Sequence, residues 1–314
     1  MVDKIVMITG ANSGIGKAAA LKFAMEGYRV IMACRNMRIS KAVQQEVAEA
    51  SDNASVDLME LDVSSFQSIR SFCAEFKQKY PRLDILIHNA AYLNHGEKEY
   101  RLSPEQIELS FATNVFGPLF MTNLLADHLE KSQDARILHA CTTNIKNFFD
   151  PKRKIDFDNL RGEFRNSRRY SAYKMYGDSK MALLILTFRL AEELKGRGIK
   201  VNALQINRVK LSKATIDKLS PFWRVLAWAQ NLTNPLPSGM ADNYYYICTS
   251  EEFRHVTGRL INHNREIIQP STSEKGIEQL KNIFGSGSYP QYANDHQHAE
   301  TLWDLGIELA KYAP

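Results

Sequence analysis

The run Ile5-Val6-Met7-Ile8-Thr9-Gly10-Ala11-Asn12-Ser13-Gly14-Ile15-Gly16-Lys17 decides how this 314-residue chain is read. Ile5–Thr9 is a short, almost continuous apolar run, as expected of a strand buried on both faces of a parallel sheet. A helical pattern from Lys17 to Glu26 follows at once. Between them, Gly10, Gly14 and Gly16 lack the Cβ atoms that would hold a pyrophosphate away from the backbone. The helix N-terminus adds unpaired N–H groups and positive potential. A glycine-rich turn in isolation says little. Placed after the first strand and opening the first helix, it predicts a phosphate cradle.

Working outward, apolar runs at Arg29–Cys34, Val56–Asp62, Leu83–His88, Arg136–Cys141 and Lys200–Ile206 alternate with helical patterns such as Ser64–Lys79 and Met175–Leu194. That alternation predicts βαβ units: an α/β fold with a Rossmann-type doubly wound parallel sheet in three layers. Gly27 closes the first helix. Ser103-Pro104-Glu105-Gln106 reads as an N-cap, an N1 proline and a capping-box glutamine. With no repeat and no linker before Gln269, the chain reads as a single domain. Residues 1–268 form the cofactor-binding catalytic part, and 269–314 a C-terminal extension packed on it.

The composition, 44% hydrophobic and 24% charged, is that of an ordinary globular protein. Much of the net charge of +5 sits between Pro151 and Arg169, where seven basic residues face three acids. Lys152, Arg153, Lys154, Arg161, Arg165, Arg168 and Arg169 make either a solvated loop or an anion-attracting rim. Cys34, Cys73, Cys141 and Cys248 lie far apart without metal-ligand spacing, so free thiols in a reducing compartment and no metal are expected. No signal-like apolar start and no run of membrane-spanning length occur, which predicts a soluble, cytoplasmic protein without nucleic-acid partners.

The spacing Thr-Gly-x3-Gly-x-Gly resembles the short-chain dehydrogenase/reductase family, and the likeness runs along nearly the whole chain. It implies cofactor contacts from Gly10, Asn12, Ser13, Gly14, Ile15 and Gly16. The second strand ends in Ala33-Cys34-Arg35-Asn36, where NAD enzymes usually carry an acid. An acid would repel a 2′-phosphate and an arginine can pair with it, so Arg35, helped by Ser13 and Asn36, predicts NADPH. Leu61-Asp62-Val63 matches the family's adenine pocket. Asn89-Ala90 matches its Asn-Ala-Gly, with Ala91 in place of the glycine.

Tyr176-Gly177-Asp178-Ser179-Lys180 fits the family's Tyr-x3-Lys, and i,i+4 spacing puts Tyr176 and Lys180 on one helix face. A carbonyl that accepts hydride must also gain a proton. A phenol is a reluctant donor or base at neutral pH, and a nearby ammonium lowers its pKa. In the family the lysine also holds the nicotinamide ribose. Tyr173 has no lysine four residues on and reads as a pocket or packing residue. Asn114 matches the family's asparagine, which supports a water relay to the lysine.

Two positions depart from the family pattern. Where a catalytic serine is usual, the chain reads Ile137-Leu138-His139-Ala140-Cys141-Thr142-Thr143. Thr142 aligns best, Thr143 is the alternative, and Cys141 reads as strand-end packing. Where Pro-Gly is usual, Ile206-Asn207 stands, with Asn207 expected to tolerate a positive φ.

Within the family the chain is most similar to the retinol dehydrogenase, WW-domain oxidoreductase and protochlorophyllide reductase group. The motifs that carry this are Ala33–Asn36, Asn159-Leu160-Arg161-Gly162 and Ala299-Glu300-Thr301-Leu302-Trp303-Asp304-Leu305. Residues 208–240 are expected to form a substrate lid. There Phe222, Trp223, Leu226 and Trp228 would bury a lipophilic ligand, touch a membrane surface peripherally, or pack as core or dimer contact. The implied activity is NADPH-dependent reduction of a ketone or aldehyde on a lipophilic or carrier-linked small molecule, or the reverse alcohol oxidation. The alternative is an NADP(H)-binding sensor or scaffold. Homo-oligomers through the Asn114 and Tyr176 helices are common in the family. Tyr244-Tyr245-Tyr246 reads as core.

Overall fold

The computed structural model describes residues 4–93, 97–211, 216–217, 221–285 and 287–312. Its strands are β1 (Ile5–Thr9), β2 (Arg29–Cys34), β3 (Val56–Glu60), β4 (Ile85–His88), β5 (Arg136–Thr142), β6 (Lys200–Ile206), β7 (Arg259–Ile261), β8 (Ile267–Pro270) and β9 (Ser288–Tyr289). Among the described residues they form one sheet in the order β3-β2-β1-β4-β5-β6-β7-β8-β9. Every pair from β3 across to β7 is parallel, and β8 runs antiparallel to β7. Strand order reverses between β1 and β4, so the crevice beyond their C-terminal ends is the topological switch point where such sheets bind ligands.

The helices are α1 (Gly14–Met25), α2 (Met37–Ser51), α3 (Phe66–Lys79), α4 (Leu109–Glu130), α5 (Ala172–Leu194), α6 (Pro221–Asn231), α7 (Pro237–Thr249), α8 (Gly276–Phe284) and α9 (His296–Tyr312). One core, with Phe23, Val47 and Tyr244, fills the space between the sheet and α1, α2 and α7. The other, with Phe72, Leu125, Leu184 and Leu302, lies under α3, α4, α5 and α9. The sheet is thus covered on both faces, which explains why β1, β4 and β5 are buried at every residue. Helix α4 is long and apolar enough to cross a membrane, but 78% of its most apolar window is buried inside the fold, as a core helix requires.

The residues after Gln269 add β9, α8 and α9. Helix α9 lies against α4 closely enough that a Cβ on Gly306 would come within 2.4 Å of Leu119. Arg189 on α5 pairs with Glu300 at 2.8 Å and stacks over Trp303.

Three local expectations differ from the structure. Ser103–Ile107 is a tight turn and starts no helix; the Ser103 hydroxyl accepts from the Glu105 and Ile107 amides. Glu105 instead caps α3, accepting from the Phe66 amide at 2.6 Å, and Glu108 is the N-cap of α4. Gln106 takes a positive φ that a capping-box position would not. Asn207 uses no positive φ, so the turn after β6 is made without the left-handed conformation. The strands expected to reach Asp62 and to begin at Leu83 are shorter, ending at Glu60 and beginning at Ile85.

Candidate active site

The turn between β1 and α1 has the shape its glycines predict. Gly10 and Gly14 have φ of +66° and +53°, which side chains resist. A Cβ on Gly16 would lie 2.4 Å from the Gly10 carbonyl oxygen and 2.5 Å from Asn89 Nδ2. Ser13 precedes α1 in extended conformation, exposed, and makes no capping hydrogen bond. The first turn of α1 carries no acid to neutralise its positive end. Ile15 is seated against the α1-side core. A cradle whose glycines hold a positive φ or leave no room for a Cβ, beside an uncompensated helix N-terminus, fits a pyrophosphate.

Asn12 donates to the Ser40 hydroxyl at 2.8 Å, and Ser40 to the Asn36 carbonyl, so the loop is braced on α2. The Asn36 side chain caps α2 by accepting from the Ile39 amide. Its expected help to the cofactor therefore competes with a structural duty. Arg35, 68% exposed at the end of β2, stands 3.8 Å from Asp62. Asp62 also accepts from the Ser64 amide and hydroxyl. Val63 is buried behind it, and its carbonyl would meet any Cβ at Gly117. Asn89 is spent on the scaffold: it donates to the Thr9 carbonyl at 2.9 Å, while the Asn89 and Ala90 amides both donate to the Thr9 hydroxyl.

The Tyr-x3-Lys pair lies where α5 crosses the end of β5. Tyr176 is half-buried and Lys180 is buried, its ammonium 5.9 Å from the Tyr176 ring centroid. Lys180 Nζ donates to the Ala140 carbonyl at 2.8 Å. Burial pushes the Tyr176 phenol up to about 12, against a smaller downward pull from its hydrogen bond with Thr142. Burial pulls Lys180 down to about 8. The Lys180 ammonium, engaged with the Ala140 carbonyl, is not among the groups that act on the phenol in this arrangement, and desolvation dominates. Thr142 is the hydroxyl at the expected serine position. Its Oγ also accepts from the Asn144 amide and opens the 3-10 turn Thr143–Phe149. Cys141 is buried, its thiol against the Lys180 carbonyl at 3.8 Å and pushed up to about 11 by desolvation.

Asn114 sits in a π-helical turn, Ala112–Phe116, within α4. It accepts from the Tyr92 amide at 2.8 Å and donates to the Ser179 hydroxyl at 2.9 Å. Ser179 donates in turn to the Tyr176 carbonyl. Sequence reasoning passed over Ser179; the one signal available was its place in the first turns of α5, three residues after the tyrosine. It also placed Tyr244 simply in the core. That residue is fully buried, but its hydroxyl donates to Asn89 Oδ1 at 3.1 Å and ties α7 to the floor of the cleft.

Of the lid residues, Leu226 and Trp228 lie on α6 and are exposed, Trp228 at 64%. The side chains of Phe222 and Trp223 lie outside the described residues. Asn231 clamps the chain after β6 by exchanging two hydrogen bonds with the Leu211 backbone.

A family profile described as short chain dehydrogenase matches residues 4–148. Retinol dehydrogenase 13 of Homo sapiens is 32% identical over 268 residues, covering 82% of this chain and 75% of the relative. Retinol dehydrogenase 12 of Mus musculus is 34% identical over 308 residues, covering 98% and 86%. The crystal structure of a short chain dehydrogenase from Shigella flexneri complexed with NADP has 21% identity and a TM-score of 0.63, covering 83% of this chain and 97% of that one. Together with the cradle after β1 and the doubly wound sheet, these likenesses identify the chain as a member of the short-chain dehydrogenase/reductase family of oxidoreductases, in its retinol dehydrogenase group.

Proposed function

We propose that this chain is an NADPH-dependent carbonyl reductase, running as alcohol oxidation in the reverse direction, with Tyr176 as its acid/base. The observation that carries this is the convergence of Tyr176, Thr142, Lys180 and Asn114 at the C-terminal end of β5, beside the phosphate cradle. The nicotinamide cofactor supplies the hydride when bound. The protein's part is the proton. At neutral pH the Tyr176 phenol, raised to about 12, is protonated and can donate to a carbonyl oxygen. Thr142, which acts on that phenol from the end of β5, is placed to hold the same oxygen. Lys180, anchored on the Ala140 carbonyl, would hold the cofactor's ribose, and Asn114 holds, through Ser179, the turn of α5 that carries Tyr176.

Arg35 supports the choice of NADPH. It is exposed at the edge of the cradle, and its nearest carboxylate, Asp62, is 3.8 Å away and shared with Ser64, which leaves the guanidinium available to a 2′-phosphate. The Shigella flexneri neighbour solved with NADP agrees with this choice. Exposed Val225, Leu226 and Trp228 on α6 support a lipophilic substrate. A basic hollow of about 390 Å³, walled by Lys98, Arg165, Arg168 and Arg169, supports the carrier-linked form of it.

The test is a panel of lipophilic aldehydes and ketones followed by NADPH absorbance, with wild type and Tyr176→Phe in parallel. Turnover by wild type and its loss in the variant, with NADPH binding retained in both, is the expected result. NADPH binding without turnover of any carbonyl would turn the reading to a sensor or scaffold.

A further inference from the structure

Beside the Tyr176 turn, a cavity of about 520 Å³ opens between the 3-10 turn, the start of α5 and the end of α8. Its polar walls include Lys146, Asn147, Asp150, Arg153, Tyr173 and Lys174. Tyr173 links it to the reaction centre, since it stands three residues before Tyr176 on α5, at the spacing that makes two helix side chains neighbours. The cavity is therefore within reach of a molecule whose carbonyl sits at Tyr176.

The charges around it do not cancel. Arg153 and Lys174 share one carboxylate, Asp178, at 2.6 and 2.7 Å, and Asp178 is 1% exposed behind the wall. Arg153 also donates to the Lys174 carbonyl and lies over the Phe148 ring, so both cations are fixed in place. Asp150 accepts from the Lys152 amide. Lys146 is half-buried, and its ammonium donates to the Gly285 carbonyl. Burial alone sets the direction of its pKa, downward, with no neighbouring carboxylate to oppose it. Three cations thus face two carboxylates, and the uncompensated one is partly removed from water. A half-buried ammonium without a counter-ion gains most from an anion that comes with the ligand.

We propose that this cavity is a subsite for an anionic end group, carboxylate or phosphate, on the carbonyl compound turned over at Tyr176, with Lys146 as its principal partner. This rests on the reading of Tyr176 as the reaction centre. It narrows the substrate from any lipophilic carbonyl to one carrying an acid at its far end.

Two measurements test it. The first needs no turnover: calorimetric titration of decanoate, decyl phosphate and methyl decanoate into wild type, Lys146→Met and Lys146→Arg. The charged ligands should bind at least about tenfold more tightly than the ester, as a charge-assisted hydrogen bond provides. Lys146→Met should erase that preference and Lys146→Arg should keep most of it. Comparison of decanoate with decyl phosphate tells which anion the subsite takes. Equal binding of ester and acid, or an undiminished preference in Lys146→Met, overturns the proposal. The second compares kcat/KM for a long-chain ω-oxo acid and its methyl ester. If the acid is preferred in binding and no carbonyl is turned over, the subsite stands and the reductase reading falls. If carbonyls are turned over without preference for the acid, the reverse holds.

Discussion

The Asn114 amide donates to the Ser179 hydroxyl at 2.9 Å, joining the π-helical turn of α4 to the turn of α5 that bears Tyr176. Both groups are buried, so removing one leaves the other without water to replace it. Ser179→Ala should cost about 1–3 kcal/mol of stability, because one buried Asn114 N–H loses its acceptor while the other keeps the Tyr92 carbonyl. It should also lower kcat more than it raises KM, because the Tyr176 turn loses its tie. Urea denaturation with steady-state kinetics on the same preparation checks both; an unchanged kcat would remove Ser179 from the positioning of Tyr176.

Lys180 holds a charge in the core at a cost. Its folded pKa is about 8 against 10.5 for the unfolded side chain. Below about pH 8 both states bind the proton and the full cost is present. Between about 8 and 10.5 the unfolded state binds more protons, so stability rises with pH across that window. Lys180→Met should therefore abolish turnover while raising Tm at pH 7, and the gain should shrink as pH climbs toward 10. A stability difference that is flat with pH would mean that Lys180 does not carry a buried charge.

Arg35→Asp places an acid beside Asp62, where a 2′-phosphate would have to sit. NADPH affinity should fall about tenfold or more, the loss of a charge-assisted hydrogen bond, while NADH affinity changes little. Fluorescence titration of the two cofactors measures this. Equal losses would show that the guanidinium contributes nothing specific to the phosphate.

Gly14 and Gly16 should respond to alanine for different reasons. A Cβ on Gly14 meets nothing within 4 Å, so Gly14→Ala carries only the strain of φ +53°, about 1–2 kcal/mol. A Cβ on Gly16 meets backbone oxygen and the Asn89 amide, neither of which can retreat. Gly16→Ala should then reshape the cradle and weaken NADPH binding far more than Gly14→Ala does. Thermal denaturation and cofactor titration of the two variants separate strain from collision.

The parts of this molecule that were legible in its sequence are those fixed by local pattern. Ile5–Gly16 announces a buried strand, a glycine cradle and a helix start through composition alone, and the strands of the switch point follow from their apolar runs. Tyr176 and Lys180 are legible because helical spacing is itself geometry. What escaped depends on partners distant in the chain. Glu105 reads as a capping-box neighbour of Ser103, yet its carboxylate reaches the Phe66 amide, 39 residues earlier. Tyr244 looks like one of three packing tyrosines until its hydroxyl is found on Asn89, 155 residues away. The raised phenol of Tyr176 was likewise hidden, because desolvation depends on the whole fold while Tyr-x3-Lys spacing shows only the nearby cation.

Helix α9 fills the outer groove between the two helices that bear Asn114 and Tyr176, with Gly306 against Leu119 and Glu300 against Arg189. That face of α4 and α5 is therefore occupied by the chain's own C-terminal helix. The stretch after Gln269 thus works as an internal partner, covering within one chain the backs of the two helices that carry Asn114 and Tyr176.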